Sequence, residues 1–246
     1  MNTVLPLINI FQEPFIRWER RNLAPQEAIN GKYSFEEIRA GVKTGNFISL
    51  NNYSESVFYV SKYLGDTMLT CFIESTLAEN SVLKSWLREM PSVTPQILKD
   101  YQNKYRERDF LEVDVAIRKA MCVLSEGQTL IHGGLWWGKE DVVITNRPLS
   151  TTFCPQVALA ETLHNAKAYY SDRIDLIILT CTKPQTNVFV YKHKRIQKAH
   201  EKEVLFASGA RLQKVREIFI TSLDVYKDHG SEGKSVPIYA VEVLIT

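Results

Sequence analysis

Three short stretches hold residues whose types and spacing suit chemistry. Leu130-Ile131-His132-Gly133-Gly134 is a strand-like run ending in a histidine and two glycines. Glycines let a ligand come close to the backbone, and histidine can donate a directed hydrogen bond; a hairpin turn with a surface histidine is the plainer reading. Leu149-Ser150-Thr151-Thr152 lies between an apolar run from Val142 and Pro155. Its hydroxyls can cap a proline-led helix or, at a strand end, position a carboxylate and a sugar. Glu201-Lys202-Glu203 leads into Val204-Leu205-Phe206. A strand beginning at Glu201 would place both carboxylates on one face and Lys202 on the other. Two like charges on one face repel, which does nothing for stability; a solvated, charged strand start is the alternative.

The elements that must carry these residues fall into two textures. Residues 1–124 read mainly as helices separated by polar turns. Thr94-Pro95 looks like an N-cap and first helical position for a helix through Gln96 to Arg106. A second helix is expected over Phe110 to Leu124, stopping at Ser125-Glu126-Gly127. Helices are also expected around Tyr33 to Ala40 and Ser75 to Glu89. After Gly127 the period changes. Short β-branched or aromatic runs at Thr129–Ile131, Val142–Thr145, Leu176–Thr182, Val188–Tyr191, Glu203–Phe206 and Ile238–Ile245 predict strands. One helix, from about Pro155 to Tyr170, interrupts them. The fold class is therefore α+β, a helical lobe followed by a β-rich one.

Composition narrows the function classes. Of 246 residues, 45% are hydrophobic and 24% charged, enough for a substantial core without disulfides or a structural metal. The net charge of +2 gives no field for bulk nucleic-acid binding. Cys71, Cys122, Cys154 and Cys181 form no CxxC pair and have no zinc-ligand spacing with histidine, so they read as reduced, mostly buried thiols in a cytosolic setting. Met1 to Phe11 is apolar but too short to span a bilayer, and it lacks a basic n-region.

In that order between residues 130 and 206, the three stretches resemble the mono-ADP-ribosyltransferase superfamily, in particular the group carrying an Arg, an S-T-S and an E-x-E element. Glu201 through Gly209 is similar to the third element, and Leu149 to Thr152 followed by Pro155-Gln156-Val157-Ala158 is similar to the second. The resemblance covers residues 128 to 246. Two positions depart from it. His132 stands where the group holds arginine, and a His-Gly pair looks instead like the branch with diphtheria toxin and the poly-ADP-ribose polymerases. That branch has a tyrosine element where this chain has Ser150-Thr151-Thr152. Thr152 replaces the group's final serine and keeps the hydroxyl.

The resemblance implies an N-terminal helical lobe, residues 1–124, ahead of an ADP-ribosyltransferase-like split β-sandwich core, residues 125–246. The lobe would wall the NAD cleft, recognise the target, or both. It implies NAD as the molecule cleaved, with no metal. ADP-ribose would pass to a protein side chain, arginine by default, with threonine or another acceptor possible and ubiquitin among the host candidates. Glu203 would stabilise the ribosyl cation, and Glu201 would face the acceptor. Ser150 would bond Glu203 or the nicotinamide ribose, with Thr151 and Thr152 shaping the strand end. His132 would orient the adenosine-side ribose, and Gly133 would pair its backbone with the nicotinamide amide. Arg147 is a second anchor, and the basic run from Lys192 to His200 would meet the target or the NAD phosphates. The expected protein is a monomeric toxin or effector, secreted into a host cell by a specialised system and acting in the cytosol, with no nucleic-acid or membrane partner. An NAD glycohydrolase and a catalytically inactive binding module are the alternatives.

Overall fold

The structure is a computed structural model, and it describes residues 2–104, 110–136, 140–183, 185–192, 202–228 and 232–246. The chain begins with strand β1 (Thr3–Leu5) and strand β2 (Phe15–Arg21), then two one-turn-and-a-half helices, α1 (Pro25–Asn30) and α2 (Phe35–Ala40). Strand β3 (Val42–Leu50) follows, then helices α3 (Tyr53–Lys62), α4 (Met68–Glu79), α5 (Ser81–Glu89), α6 (Gln96–Lys104) and α7 (Phe110–Arg118), and strand β4 (Cys122–Leu124). The remainder is β5 (Thr129–Gly134), β6 (Val142–Ile144), β7 (Leu149–Thr152), α8 (Pro155–Leu163), α9 (Lys167–Ser171), β8 (Ile174–Cys181), β9 (Val188–Val190), β10 (Glu203–Phe206), β11 (Arg211–Val225) and β12 (Lys234–Ile245). No helix among the described residues is long and apolar enough to cross a membrane.

The fold is α+β, built on an eight-stranded mixed sheet in the order β6-β11-β12-β8-β5-β7-β10-β9. Strand β8, Ile-Asp-Leu-Ile-Ile-Leu-Thr-Cys, is buried along nearly its whole length, as a central strand covered on both faces must be. It pairs in parallel with β12 and antiparallel with β5. One hydrophobic cluster runs through the chain from Leu5 to Ile245. Trp86 of α5, fully buried, joins it and donates from Nε1 to the Pro6 carbonyl at 2.8 Å.

The N-terminal region is more than helical. Strand β1 pairs in parallel with β4, and β2 forms an antiparallel hairpin with β3. Between the hairpin strands, α1 and α2 bury no residue, although α2 has a complete capping box in Ser34 and Glu37. The helix expected through Leu124 stops at Arg118. Met121 takes a left-handed φ of 49°, and Cys122-Val123-Leu124 is wholly buried as a strand against β1. Tertiary pairing outweighs local helical spacing there. The helix expected from Pro155 to Tyr170 breaks likewise, at Asn165 and Ala166, both with φ of 55°. Strand β11, at 15 residues, has no sequence-based counterpart. The anticipated helices at 33–40 and 75–89 appear as α2 and as the end of α4 plus α5.

Candidate active site

Strands β7 and β10 carry the Ser-Thr-Thr and glutamate stretches side by side. They are antiparallel, with Glu203 opposite Thr152 and Leu205 opposite Ser150. Opposed residues share a face, and the i, j±2 diagonal lies within side-chain reach. Ser150 uses that diagonal: its exposed hydroxyl donates to Glu203 Oε1 at 2.6 Å, while Glu203 is only 5% exposed. Thr151, one residue on, points to the other face and donates from Oγ1 to the Val204 carbonyl at 2.7 Å, tying the two strands together. Thr152 Oγ1 accepts from the Cys154 amide at 3.0 Å, which closes the turn ahead of α8. The stretch is strand rather than helix cap: α8 has Cys154 at its N-cap and no side-chain capping bond.

Beside β7 the sheet parts. Strands β5 and β7 share one register pair, Ile131 with Thr152. Continued by two residues, the ladder would set Gly133 against Ser150. Instead His132 Nδ1 lies 2.7 Å from the Ser150 carbonyl oxygen. A carbonyl only accepts, so Nδ1 carries the proton, and in the neutral ring Nε2 is the acceptor nitrogen. The ring is partly open to solvent yet densely surrounded. Burial pushes its pKa down from 6.5 to about 4; the bond to Ser150 opposes this, and the nearby charges of Arg147 and Lys167 add to it. Arg147, exposed just ahead of β7, is therefore close to the split.

The depressed pKa has a stability consequence with a definite sign. Between pH 6.5 and about 4 the unfolded chain takes up a proton that folded His132 refuses, so the unfolded state binds more protons. Stability from this group is present above pH 6.5 and is lost as the pH falls through that window. We expect the melting temperature of the wild type to fall more steeply over that range than that of His132→Gln, which keeps an amide donor for the Ser150 carbonyl. Parallel slopes in calorimetry would contradict this.

The two glycines have separate structural duties. A Cβ on Gly133 would lie 1.8 Å from the Ala158 carbonyl oxygen, so the space beneath it is filled by α8. A Cβ on Gly134 would lie 2.7 Å from His132 Nε2, so its absence leaves room for the imidazole.

The sequence reading did not include Gln102. Its Nε2 donates to Glu203 Oε2 at 2.6 Å, so that hydrogen bonds from two parts of the chain hold both oxygens of the carboxylate. Helix α6 is fixed where it can do this. Leu98 is fully buried, its carbonyl accepts from the Tyr191 hydroxyl at 2.9 Å, and the Tyr101 hydroxyl donates to the Pro148 carbonyl at 3.0 Å. The available signal was spacing: Gln102 lies four residues after Leu98 and next to Tyr101, a polar residue on an inward helix stripe.

Glu201 lies outside the described residues, as do residues 193–200 of the basic run. Lys192 donates to the Met90 carbonyl at 3.0 Å. Trp136 is core, with Nε1 donating to the Glu140 carbonyl at 2.9 Å, and Phe153 is core against Trp86. Tyr169 is partly buried and Tyr170 is 63% exposed. Cys122, Cys154 and Cys181 are buried free thiols, and Cys71 is an exposed one. No group of three metal-ligating side chains occurs among the described residues. Two cavities, of about 570 and 530 Å³, include none of His132, Ser150, Glu203 or Gln102 in their walls. The larger is lined mainly by apolar side chains such as Leu159, Leu163 and Val225. The chemistry-bearing groups converge at the split in the sheet instead.

No protein-family model and no curated protein matches the chain. Among solved structures it is similar to the ADP-ribosyltransferase Vis of Vibrio splendidus in complex with agmatine, with a TM-score of 0.36 and 14% identity over 80% of this chain and 87% of that one. It is also similar to the ADP-ribosylating toxin BECa of C. perfringens with NADH, with a TM-score of 0.38 and 14% identity over 66% of this chain. The match covers 45% of BECa, under half its length. The ADP-ribosyltransferase C3larvin of Paenibacillus larvae gives 0.37 and 11% over 66% of this chain and 92% of that one. These likenesses are remote, and the functional reading rests on the residues of the site.

Proposed function

We propose that the chain is an NAD-dependent mono-ADP-ribosyltransferase that modifies a protein, with Glu203 at the reacting ribose. The observation that carries this is a buried glutamate with both oxygens held, one by an exposed serine, at the edge of a split sheet that also presents a neutral histidine. The order of the three motifs supports it. Cleavage of the nicotinamide–ribose bond sends the bonding pair to nicotinamide and leaves cationic character on the sugar, as in glycoside hydrolysis. A fixed carboxylate beside that carbon stabilises the charge as it develops, and such preorganised stabilisation is worth roughly 3–4 kcal/mol. The acceptor then bonds to the same carbon and releases a proton. Ser150 keeps Glu203 aimed, and the acceptor nitrogen of His132 takes a hydrogen bond from a ribose hydroxyl. Gly133 meets the nicotinamide amide through its backbone, and Thr151 and Thr152 hold the strand end.

Glu201 would receive the acceptor's proton, with arginine as the default acceptor and threonine or another side chain, on ubiquitin or a different host protein, as further cases. Arg147 would meet a phosphate or ribose oxygen. Residues 1–124 would form one wall of the cleft through α6, and residues 125–246 the catalytic core. The biological setting this reading fits is a monomeric toxin or effector delivered into a host cytosol.

The test uses NAD labelled on the adenylate, purified protein and a host-cell lysate. Nicotinamide release with label on a lysate protein is the expected result, and mass spectrometry of that band names the acceptor. Release with no labelled protein would replace the transferase with a glycohydrolase. No release, from folded protein supplied with lysate, would overturn the reading and leave a binding module.

A further inference from the structure

We propose that Gln102 is a positioning residue for the Glu203 carboxylate, so that helix α6, from the N-terminal region, sets the ionisation and aim of the group on which catalysis depends. The inference rests on the role given to Glu203 above, but its structural core is independent of it. A carboxylate offers only acceptors, so the amide must turn its NH₂ towards Glu203, as the 2.6 Å contact from Nε2 to Oε2 requires. That choice sends Gln102 Oε1 the other way, where it is buried with no hydrogen-bond partner among the described residues. Turning the amide over would instead set Oε1 against a carboxylate oxygen. The side chain therefore leaves an acceptor unsatisfied in order to donate to Glu203, an arrangement that packing alone does not explain.

The donor is also preorganised. Tyr101 and Leu98, on the same face of α6, are tied to Pro148 just before β7 and to Tyr191 just after β9. These are the segments flanking the two strands that sandwich β10. Gln102 is thus registered against the sheet by contacts on either side of Glu203. A charge-assisted hydrogen bond to the ionised form lowers a carboxyl pKa and restricts its rotation. Strands β7 and β9 carry no charged side chain. The ionisable groups nearby among the described residues are His132, which burial keeps neutral down to about pH 4, Lys202 beside Glu203, and Tyr101 and Tyr191, none of which the substitutions below alter.

The experiment follows the Glu203 carboxyl by carbon-13 NMR, its resonance assigned by loss in Glu203→Gln, in wild type, Gln102→Met and Gln102→Glu. Gln102→Met keeps length and removes the donor; Gln102→Glu keeps shape and adds a repelling charge. We expect the titration midpoint to rise by about one pH unit in Gln102→Met and further in Gln102→Glu. In parallel, kcat for NAD cleavage should fall about tenfold while KM changes by less than about threefold, the pattern of an interaction made in the transition state. A midpoint unmoved in whichever variant is folded overturns the inference, even if NAD turnover is normal. A midpoint that moves in a protein whose wild type cleaves no NAD leaves the coupling standing and removes the proposed function instead. Should Gln102→Met not fold, Gln102→Glu alone decides, because its shape matches the native side chain.

Discussion

Replacing Glu203 with glutamine is expected to cut NAD turnover by roughly two to three orders of magnitude while leaving the protein folded. Both halves of that expectation come from the hydrogen bonds. The new amide oxygen can still accept from the Ser150 hydroxyl, which is 2.6 Å from Oε1 in the native site. The new NH₂ would face the Gln102 NH₂, but Gln102 can turn over and present Oε1, which has no partner among the described residues. The pocket thus accommodates the amide with little loss of stability, and what disappears is the negative charge that the proposed function sets opposite the ribosyl cation. The measurement is nicotinamide release set beside a calorimetric melt. Glu203→Gln retaining more than about a tenth of wild-type turnover would remove Glu203 from the reaction, since loss of one preorganised electrostatic contact should exceed that.

The second large effect concerns the scaffold. In Gly133→Ala the added methyl would sit 1.8 Å from the Ala158 carbonyl oxygen and 2.6 Å from its carbon. These are backbone atoms of α8, so no rotamer change relieves the clash, and either the helix or β5 must shift. Overpacking of this kind costs about 3 kcal/mol, which for a chain of this size lowers the melting temperature by roughly 6–12 °C. Gly134→Ala makes the useful contrast. Its methyl presses on the far edge of the His132 ring, a side chain that can give way. It should therefore melt closer to wild type while disturbing the histidine. A Gly133→Ala melt within about 2 °C of wild type would show that α8 does not rest on β5 as described.

Much of the candidate site was legible because its members had to be particular residue types at strand ends. His132, Ser150 and Glu203 stood out through the order of their three stretches and not through any one stretch alone, and the sheet brings them together. Gln102 was not legible in the same way, since a glutamine in a nine-residue helix has no motif around it. Its significance arises only when α6 is laid against β10. Gly133 carries a duty its stretch did not announce: the missing side chain leaves room for the Ala158 backbone of helix α8.

The fold divides similarly. Strands such as β8 announce themselves by continuous apolar runs. Strand β11 does not: Arg211, Gln213, Arg216, Glu217, Thr221, Ser222 and Asp224 interrupt its apolar residues on both faces, and it is held by pairing with β12 along its length and with β6 at one end. The hairpin of β2 and β3 is hidden for the same reason, with Arg-Trp-Glu-Arg-Arg in its first strand. At Cys122 to Leu124 the apolar spacing suited a helix, and the partner that decided otherwise, β1, lies at the opposite end of that region.

Glu203 receives side-chain donors from residues 101 and 53 positions away along the chain. Contacts of such separation require long loops to close before they form, so the surroundings of the carboxylate depend on long-range assembly. The two donors need not be lost together. Strand β7 is part of the main sheet, whereas α6 is joined to it through side chains, so a local opening that released α6 alone would leave the sheet's own pairing intact. In such a partly open molecule Glu203 would keep Ser150 and lose Gln102, and the chain would be folded by most measures yet chemically slack. Competence for the reaction is then a property of the completed molecule, more fragile than the fold that carries it.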